Sequence, residues 1–359
     1  MRRFCCLIWH KQLIQNCCLL LVICCLCFLT NDQQQITKSA GGVCPTPKRM
    51  WASRRLSVRK VFLLSFILIS LGVLLLHITH SKPPEPPSSP VIGSPQKEIR
   101  YQSHTLDKSV VHTLLIPANS HFLVTPALSQ ELSSLENFAQ EYQALAVING
   151  GFFDPVNRKS TSYVVKQGLL VADPSLNERL MNNPKLVPYL KKILNRTEFR
   201  RYLCGQTVRY DIALHTEPSF PNCRSVDTLG GGPRLLPELT SVQEGFLDFS
   251  QGQVIRDPLR SRQPDARTAV GITRDGSLLW IVVAQKPEAP TTSGMSLQAL
   301  AVFMKSLGVE KAMNLDGGSS SSLYYKGQTV YGKVNQQGNL VRRKVKSALL
   351  IQEMSEGFK

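Results

Sequence analysis

At 359 residues and 43% hydrophobic composition, the chain has room for one large domain or two small ones. Its net charge of +17 is unevenly spread: residues 1–96 carry 11 of the 42 Lys and Arg but only 2 of the 25 Asp and Glu. The remaining body is moderately basic, which suits anionic substrates or an anionic membrane surface. No recognition-helix pattern, RNA-binding aromatic motif or zinc-finger spacing is present, which argues against nucleic acid as a partner.

Residues 1–49 form a Cys-rich extension holding eight of the ten cysteines and an apolar run at 17–29. Met50 is followed by the basic stretch Arg54-Arg55-Leu56-Ser57-Val58-Arg59-Lys60 and an uncharged apolar run over 61–78. That pattern has the form of a natural start, with residues 1–49 upstream of it. Eighteen helical residues at 1.5 Å each span about 27 Å, close to a bilayer core. No small-residue cleavage site follows near His77, so residues 50–80 predict an uncleaved transmembrane signal anchor. The positive-inside rule keeps the basic flank in the cytoplasm and puts the body on the extracytoplasmic side, in a periplasm, a lumen or the cell exterior. A two-helix hairpin made from both apolar runs competes with this reading and leaves the body on the same side. A Pro/Ser-rich linker is expected over 81–100, and the folded domain over 101–353.

Within the body, Leu132, Leu135 and Phe138 recur at helical spacing over 129–142. The apolar strand Ala144-Leu145-Ala146-Val147-Ile148 then runs into Asn149-Gly150-Gly151-Phe152-Phe153-Asp154. A polar insertion covers 173–199 and contains the glycosylation pattern Asn195-Arg196-Thr197. Cys204 and Cys223 are the only cysteines of the body, read either as a disulfide or as two free buried thiols. Gly230-Gly231-Gly232-Pro233-Arg234-Leu235-Leu236 delivers one arginine from a glycine run, and Asp265-Ala266-Arg267-Thr268-Ala269-Val270-Gly271-Ile272 puts another at the mouth of a strand. Arginine forks grip phosphate or carboxylate.

A second helix is expected over 297–307, capped by Ser296 and stopped by Gly308. A buried strand over 309–315 leads into Asn314-Leu315-Asp316-Gly317-Gly318-Ser319-Ser320-Ser321-Ser322. Helix, strand and (N/D)GG thus occur twice, implying two similar halves whose strand ends face one pocket. A carboxylate and an amide beside close-packed N–H and O–H groups suit an anionic or polyhydroxylated ligand.

These motifs, closed by Arg343-Lys344-Val345-Lys346-Ser347-Ala348-Leu349-Leu350, stand in the order seen in the phosphodiester glycosidase family, which the chain resembles over about residues 101–353. The chain departs from the family's usual pattern in having Ser319 at a third glycine, and in its insertion at 173–199. The resemblance implies an α+β fold with a mixed β-sheet core and packed helices. It also implies a hydrolase acting on a glycosyl-1-phosphodiester of the N-acetylglucosamine-1-phosphate type, or on a related envelope or extracellular glycan bond. A phosphate ester leaves readily, so such a site needs a carboxylate at the sugar C1 and cations for the phosphate.

Asp316, Asn314 and Arg267 are the expected catalytic residues. Asn149, Gly150, Gly151, Asp154, Gly232, Arg234, Gly317, Gly318, Ser319 and Ser320 are the expected substrate-binding residues. The histidines His104, His112, His121 and His215 lack paired metal-ligand spacing and read as surface or hydrogen-bonded residues. With no G-x-S-x-G elbow, P-loop or dinucleotide fingerprint, and too few oxygen donors near Asp316 for Ca²⁺, no metal or cofactor is expected. The alternative function is a non-catalytic polysaccharide-binding module for envelope or exopolysaccharide assembly.

Overall fold

The computed structural model describes residues 98–354. In chain order its strands are β1 (Arg100–Thr105), β2 (Val110–Ile116), β3 (Phe122–Ser133), β4 (Ala146–Asn149), β5 (Val164–Lys166), β6 (Leu169–Ala172), β7 (Thr197–Cys204), β8 (Thr207–Leu214) and β9 (Arg224–Gly230). They continue with β10 (Arg234–Leu236), β11 (Asp248–Ser250), β12 (Gln253–Arg256), β13 (Arg267–Thr273), β14 (Leu278–Ala284), β15 (Val309–Asn314), β16 (Ser322–Tyr325), β17 (Gln328–Tyr331) and β18 (Val345–Glu353). The helices are α1 (Leu135–Tyr142), α2 (Glu178–Met181), α3 (Leu190–Ile193) and α4 (Leu297–Ser306).

Three sheets carry the fold, in the orders β1-β2-β14-β13-β15-β10, β17-β16-β4-β18-β3 and β6-β5-β9-β7-β8. Among the described residues their pairings are antiparallel, where a mixed sheet was expected. Alternation along the strands sorts side chains between layers. Leu278, Trp280 and Val282 of β14 enter a central core with Met313 of the same sheet and Ile148, Leu229 and Leu349 from the other two. The intervening Leu279, Ile281 and Val283 face α4, through Leu297, Leu300 and Met304. On the far side, Val147, Ala348 and Leu350 face Leu135, Phe138 and Ala139 of α1. Strands buried on both faces explain the uninterrupted apolar run of β14.

The two helix–strand–(N/D)GG units are present, α1 with β4 and α4 with β15, in different sheets. Ser296 caps α4 by accepting from the Ala299 N–H at 3.1 Å, and Gly308 follows it at φ 81°. The first helix is shorter than expected. Residues 129–133 belong to β3, and Ser134 caps α1 by accepting from Asn137 N–H at 3.3 Å. Leu132 therefore packs from a strand, and the apparent helical period of residues 132–138 spans an element boundary. The insertion folds into short turns with α2 and α3 before β7 begins at Thr197.

Among the described residues no helix is long and apolar enough to cross a membrane. The expected anchor at 50–80, the extension at 1–49 and the linker up to residue 97 lie outside the described residues.

Cys204 and Cys223 form a disulfide with a Cα–Cα distance of 4.3 Å, closing a sequence separation of 19 residues beside β7 and β9. Replacing both cysteines by serine removes that closure, and loop entropy puts the loss at roughly 3 kcal/mol. The expected readout is a lower urea midpoint; an unchanged midpoint counts against the bridge in solution.

Candidate active site

The ends of β4, β9 and β15 and the start of β13 converge, and backbone bonds lock them together. The Asp316 N–H donates to the Gly150 carbonyl (3.0 Å), Leu315 N–H to Thr268 O (2.8 Å), Gly232 N–H to Asn314 O (2.8 Å) and Gly231 N–H to Thr197 O (2.9 Å). Such close approach explains the glycines. A Cβ on Gly151 would run into the Gly230 carbonyl, and one on Gly150 into the Ser347 backbone. Gly318 sits in the left-handed region at φ 58°, where a side chain is strained. Ser319, at the family's third glycine, has no positive φ, so the substitution costs no backbone strain.

Asp316 lies half-buried at the centre of this convergence. Desolvation raises its carboxyl from 3.8 to about 6, against the opposing pull of the Ser320 hydroxyl, the Arg343 charge and the Gly317 N–H. Arg343, also half-buried, donates from Nη1 to Ser319 Oγ at 3.2 Å and sits 5.2 Å from the Phe153 ring. A carboxylate, a guanidinium and two hydroxyls thus share one rim.

The other expected residues take different places. Arg267 is a clamp, with its guanidinium buried and donating to four backbone carbonyls: Met295 (2.9 Å), Leu259 (2.8 Å), Arg260 (2.9 Å) and Gln263 (2.9 Å). Four of its five donors are committed to the protein, so the expected phosphate grip at Arg267 gives way to a scaffold role. Arg234 pairs with Glu217 (3.0 Å) and Glu238 (3.5 Å), leaving a buried Nε without a partner. Asn149 is fully buried and donates to the Asp316 carbonyl (2.7 Å), while its Oδ1 accepts from Thr268 Oγ1 (2.8 Å) and Ser322 N–H (3.1 Å). Its amide holds the loop. Asn314 donates to the Gly232 and Leu315 carbonyls, and its Oδ1 is buried without a partner.

Asp154 accepts from the Val156 N–H (2.7 Å) and from Arg179 Nε of the insertion (2.9 Å). Burial pushes its carboxyl up, but those bonds carry it net below the usual value. It is a turn former and the insertion's tether. Gly232 packs against Glu244, whose buried carboxylate accepts from Thr197, Thr240 and the Arg234 N–H.

Sequence reasoning missed Arg343 as a site residue, although it opens the closing motif. It also missed the pairing of His215 with Glu198, Nδ1 to Oε1 at 2.6 Å, because those residues are 17 positions apart, one in the turn after β8 and one on β7, and meet only once the two strands pair. A larger cavity of about 530 Å³ lies elsewhere, along Tyr101, Tyr325 and Lys326. No carboxylate lines it and none of the motif residues reaches it, so Asp316 marks the better candidate.

Among solved structures, the chain is similar to the catalytic domain of zebrafish N-acetylglucosamine-1-phosphodiester alpha-N-acetylglucosaminidase, auto-inhibited by its pro-peptide. That match has a TM-score of 0.52 at 20% identity and covers 73% of this chain and 85% of that one. A hypothetical protein from Synechocystis matches at TM-score 0.45 and 16% identity, covering 70% of this chain and 61% of that one. The matched region thus spans less than two thirds of the Synechocystis protein's length. The chain matches no curated protein at a significant level. The family model described as phosphodiester glycosidase matches residues 142–352, a span that includes β4, the insertion, the glycine run, Asp316 and Arg343. The chain therefore belongs to the phosphodiester glycosidase family, and its folded body is a hydrolase domain of that type.

Proposed function

We propose that the protein hydrolyses a glycosyl-1-phosphodiester of the N-acetylglucosamine-1-phosphate type. Asp316 acts at the sugar C1, and Arg343 with Ser319 holds the phosphate. The observation that carries this reading is the desolvated Asp316 carboxyl set beside the Arg343 guanidinium, which among the described residues has only the Ser319 oxygen as a hydrogen-bond partner. Ionised Asp316 attacks C1 as the C1–O bond breaks, and the phosphate monoester departs with the electron pair. Arg343 balances the charge on the departing group in a partly water-excluded setting, where such a contact is worth more than in bulk water. Water then takes the sugar from Asp316. The Cys204–Cys223 bridge supports an oxidising, extracytoplasmic compartment for the substrate glycan.

The test is free-sugar release from methyl N-acetylglucosamine-α-1-phosphate or UDP-N-acetylglucosamine by the full-length chain. Asp316→Asn is expected to cut kcat at least roughly 10³-fold with the fold intact. An active Asp316→Asn enzyme overturns the assignment. No release by the folded wild type turns the reading to a polysaccharide-binding module.

The two arginines separate by what each loses. Arg343→Gln is expected to lower kcat/KM by about 10²–10³-fold at an unchanged Tm. Arg267→Lys strands carbonyls that four guanidinium donors now satisfy, so its expected signature is a lower Tm. Thermal melts beside steady-state kinetics decide between them.

pH acts on Asp316 in a fixed direction. A folded-state value near 6 against 3.8 means that the ionised form is disfavoured in the fold. Activity should fall as pH drops through about 6. The folding penalty should grow as pH rises from about 4 to about 6 and be complete above that. Asp316→Asn is therefore expected to raise Tm at pH 7.5 and leave it unchanged at pH 3, measured by calorimetry at both values.

A further inference from the structure

A second pair, His215 and Glu198, lies outside the Asp316–Arg343 rim. Glu198 is 3% exposed and accepts from Arg200 Nε at 3.0 Å. The His215 Nδ1 meets its other oxygen at 2.6 Å, which makes Nδ1 the protonated nitrogen and leaves the Nε2 lone pair free to take a proton. The imidazole is held from several sides. It stacks on Tyr163 with ring centroids 4.1 Å apart and planes 8° apart, and its backbone N–H donates to Arg196 O at 3.1 Å. The Arg200 guanidinium pins the turn that carries it, through the carbonyls of Leu214 (2.7 Å), His215 (2.8 Å) and Glu217 (2.9 Å). So much orientation spent on a side chain that remains 38% exposed is costly for stability alone and useful for proton transfer.

Tyr163 and Glu198, the two side chains His215 touches, line a cavity of about 10 Å³ together with Thr161, Ser162, Arg196 and Gly231. That is about the space one water centre needs, and several of its walls are polar. Its floor adjoins the Asp316 loop: a Cβ built on Gly231 would stand 3.0 Å from the Asn314 carbonyl oxygen and 3.2 Å from Leu315 Cδ2.

We propose that His215, positioned by Glu198, is the general base for the hydrolytic water, an assignment that rests on the Asp316 reading above. The water oxygen bonds to C1 while the C1–Asp316 ester bond breaks and returns its electron pair to the carboxylate. The water proton passes to His215 Nε2 and from there to solvent. An anionic nucleophile has no proton to give up, so it bypasses the base.

The test is His215→Ala with the glycosyl phosphodiester substrate, with and without sodium azide. The expected result is a kcat loss of about 10²–10³-fold, with a burst of phosphate monoester before the slow phase. Azide should restore turnover at least about 10-fold, with a glycosyl azide as product. Glu198→Gln, which keeps the shape of the positioning residue, should give a smaller loss that azide also relieves. Where His215→Ala fails to fold by its melting curve, His215→Gln carries the same test. Full rate in the variant, or a loss that azide leaves unrelieved, overturns the His215 assignment alone. A wild type that releases no sugar overturns the Asp316 reading first, and the two failures are thereby separate.

Discussion

The site depends on one buried amide. Asn149 reaches across from β4, in the second sheet, to the Asp316 carbonyl beyond β15 and the Thr268 hydroxyl on β13, both in the first sheet, and also receives the Ser322 N–H. Those bonds tie two separate sheets at the point where Asp316 leaves its strand. Thr268 and Ser322 are secluded from water, so deleting the amide would strand their polar groups at about 1–3 kcal/mol apiece. Glycines at 150 and 151 then follow from geometry, because backbone drawn this close leaves no room for Cβ atoms there.

That tie also sets the electrostatics. With its carbonyl and N–H both engaged by β4 and the Gly150 turn, the Asp316 backbone is fixed, and its carboxyl is held where water is scarce. A group held this way is a liability to the fold when ionised, and the surrounding scaffold must be stable enough to carry it. The Arg267 clamp, the Glu244 hub and the two helix-backed sheets supply that support. The insertion joins the body through Arg179 on Asp154, through Lys159 on Glu178, and through Tyr189 on Asp248.

Much of the layout was legible because it is local. The Ser296 cap, the Gly308 stop and the apolar runs before each (N/D)GG turn are short-range signals, and the strands and α4 follow them closely. The boundary at Ser134 was hidden because Leu132 and Leu135 pack into the same cluster, one from a strand and one from a helix, so packing alone mimicked a single period. The two similar halves were also visible, but their assignment to different sheets was not, since sheet membership is decided by pairings between distant segments.

Arginines show where sequence runs out. Arg267, Arg234 and Arg343 all stand beside glycine-rich or apolar motifs, and nothing local distinguishes them. What separates them is how many acceptors the folded chain brings to each fork. Arg267 meets four carbonyls and becomes a clamp, and Arg234 meets two carboxylates and becomes an ion-pair partner. Among the described residues Arg343 meets one serine oxygen and one ring face, and so keeps donors unsatisfied. A guanidinium's role is thus set by what the fold leaves unsatisfied. The same count applied to His215, whose Nδ1 is taken by Glu198, leaves Nε2 as the atom with chemistry still to do.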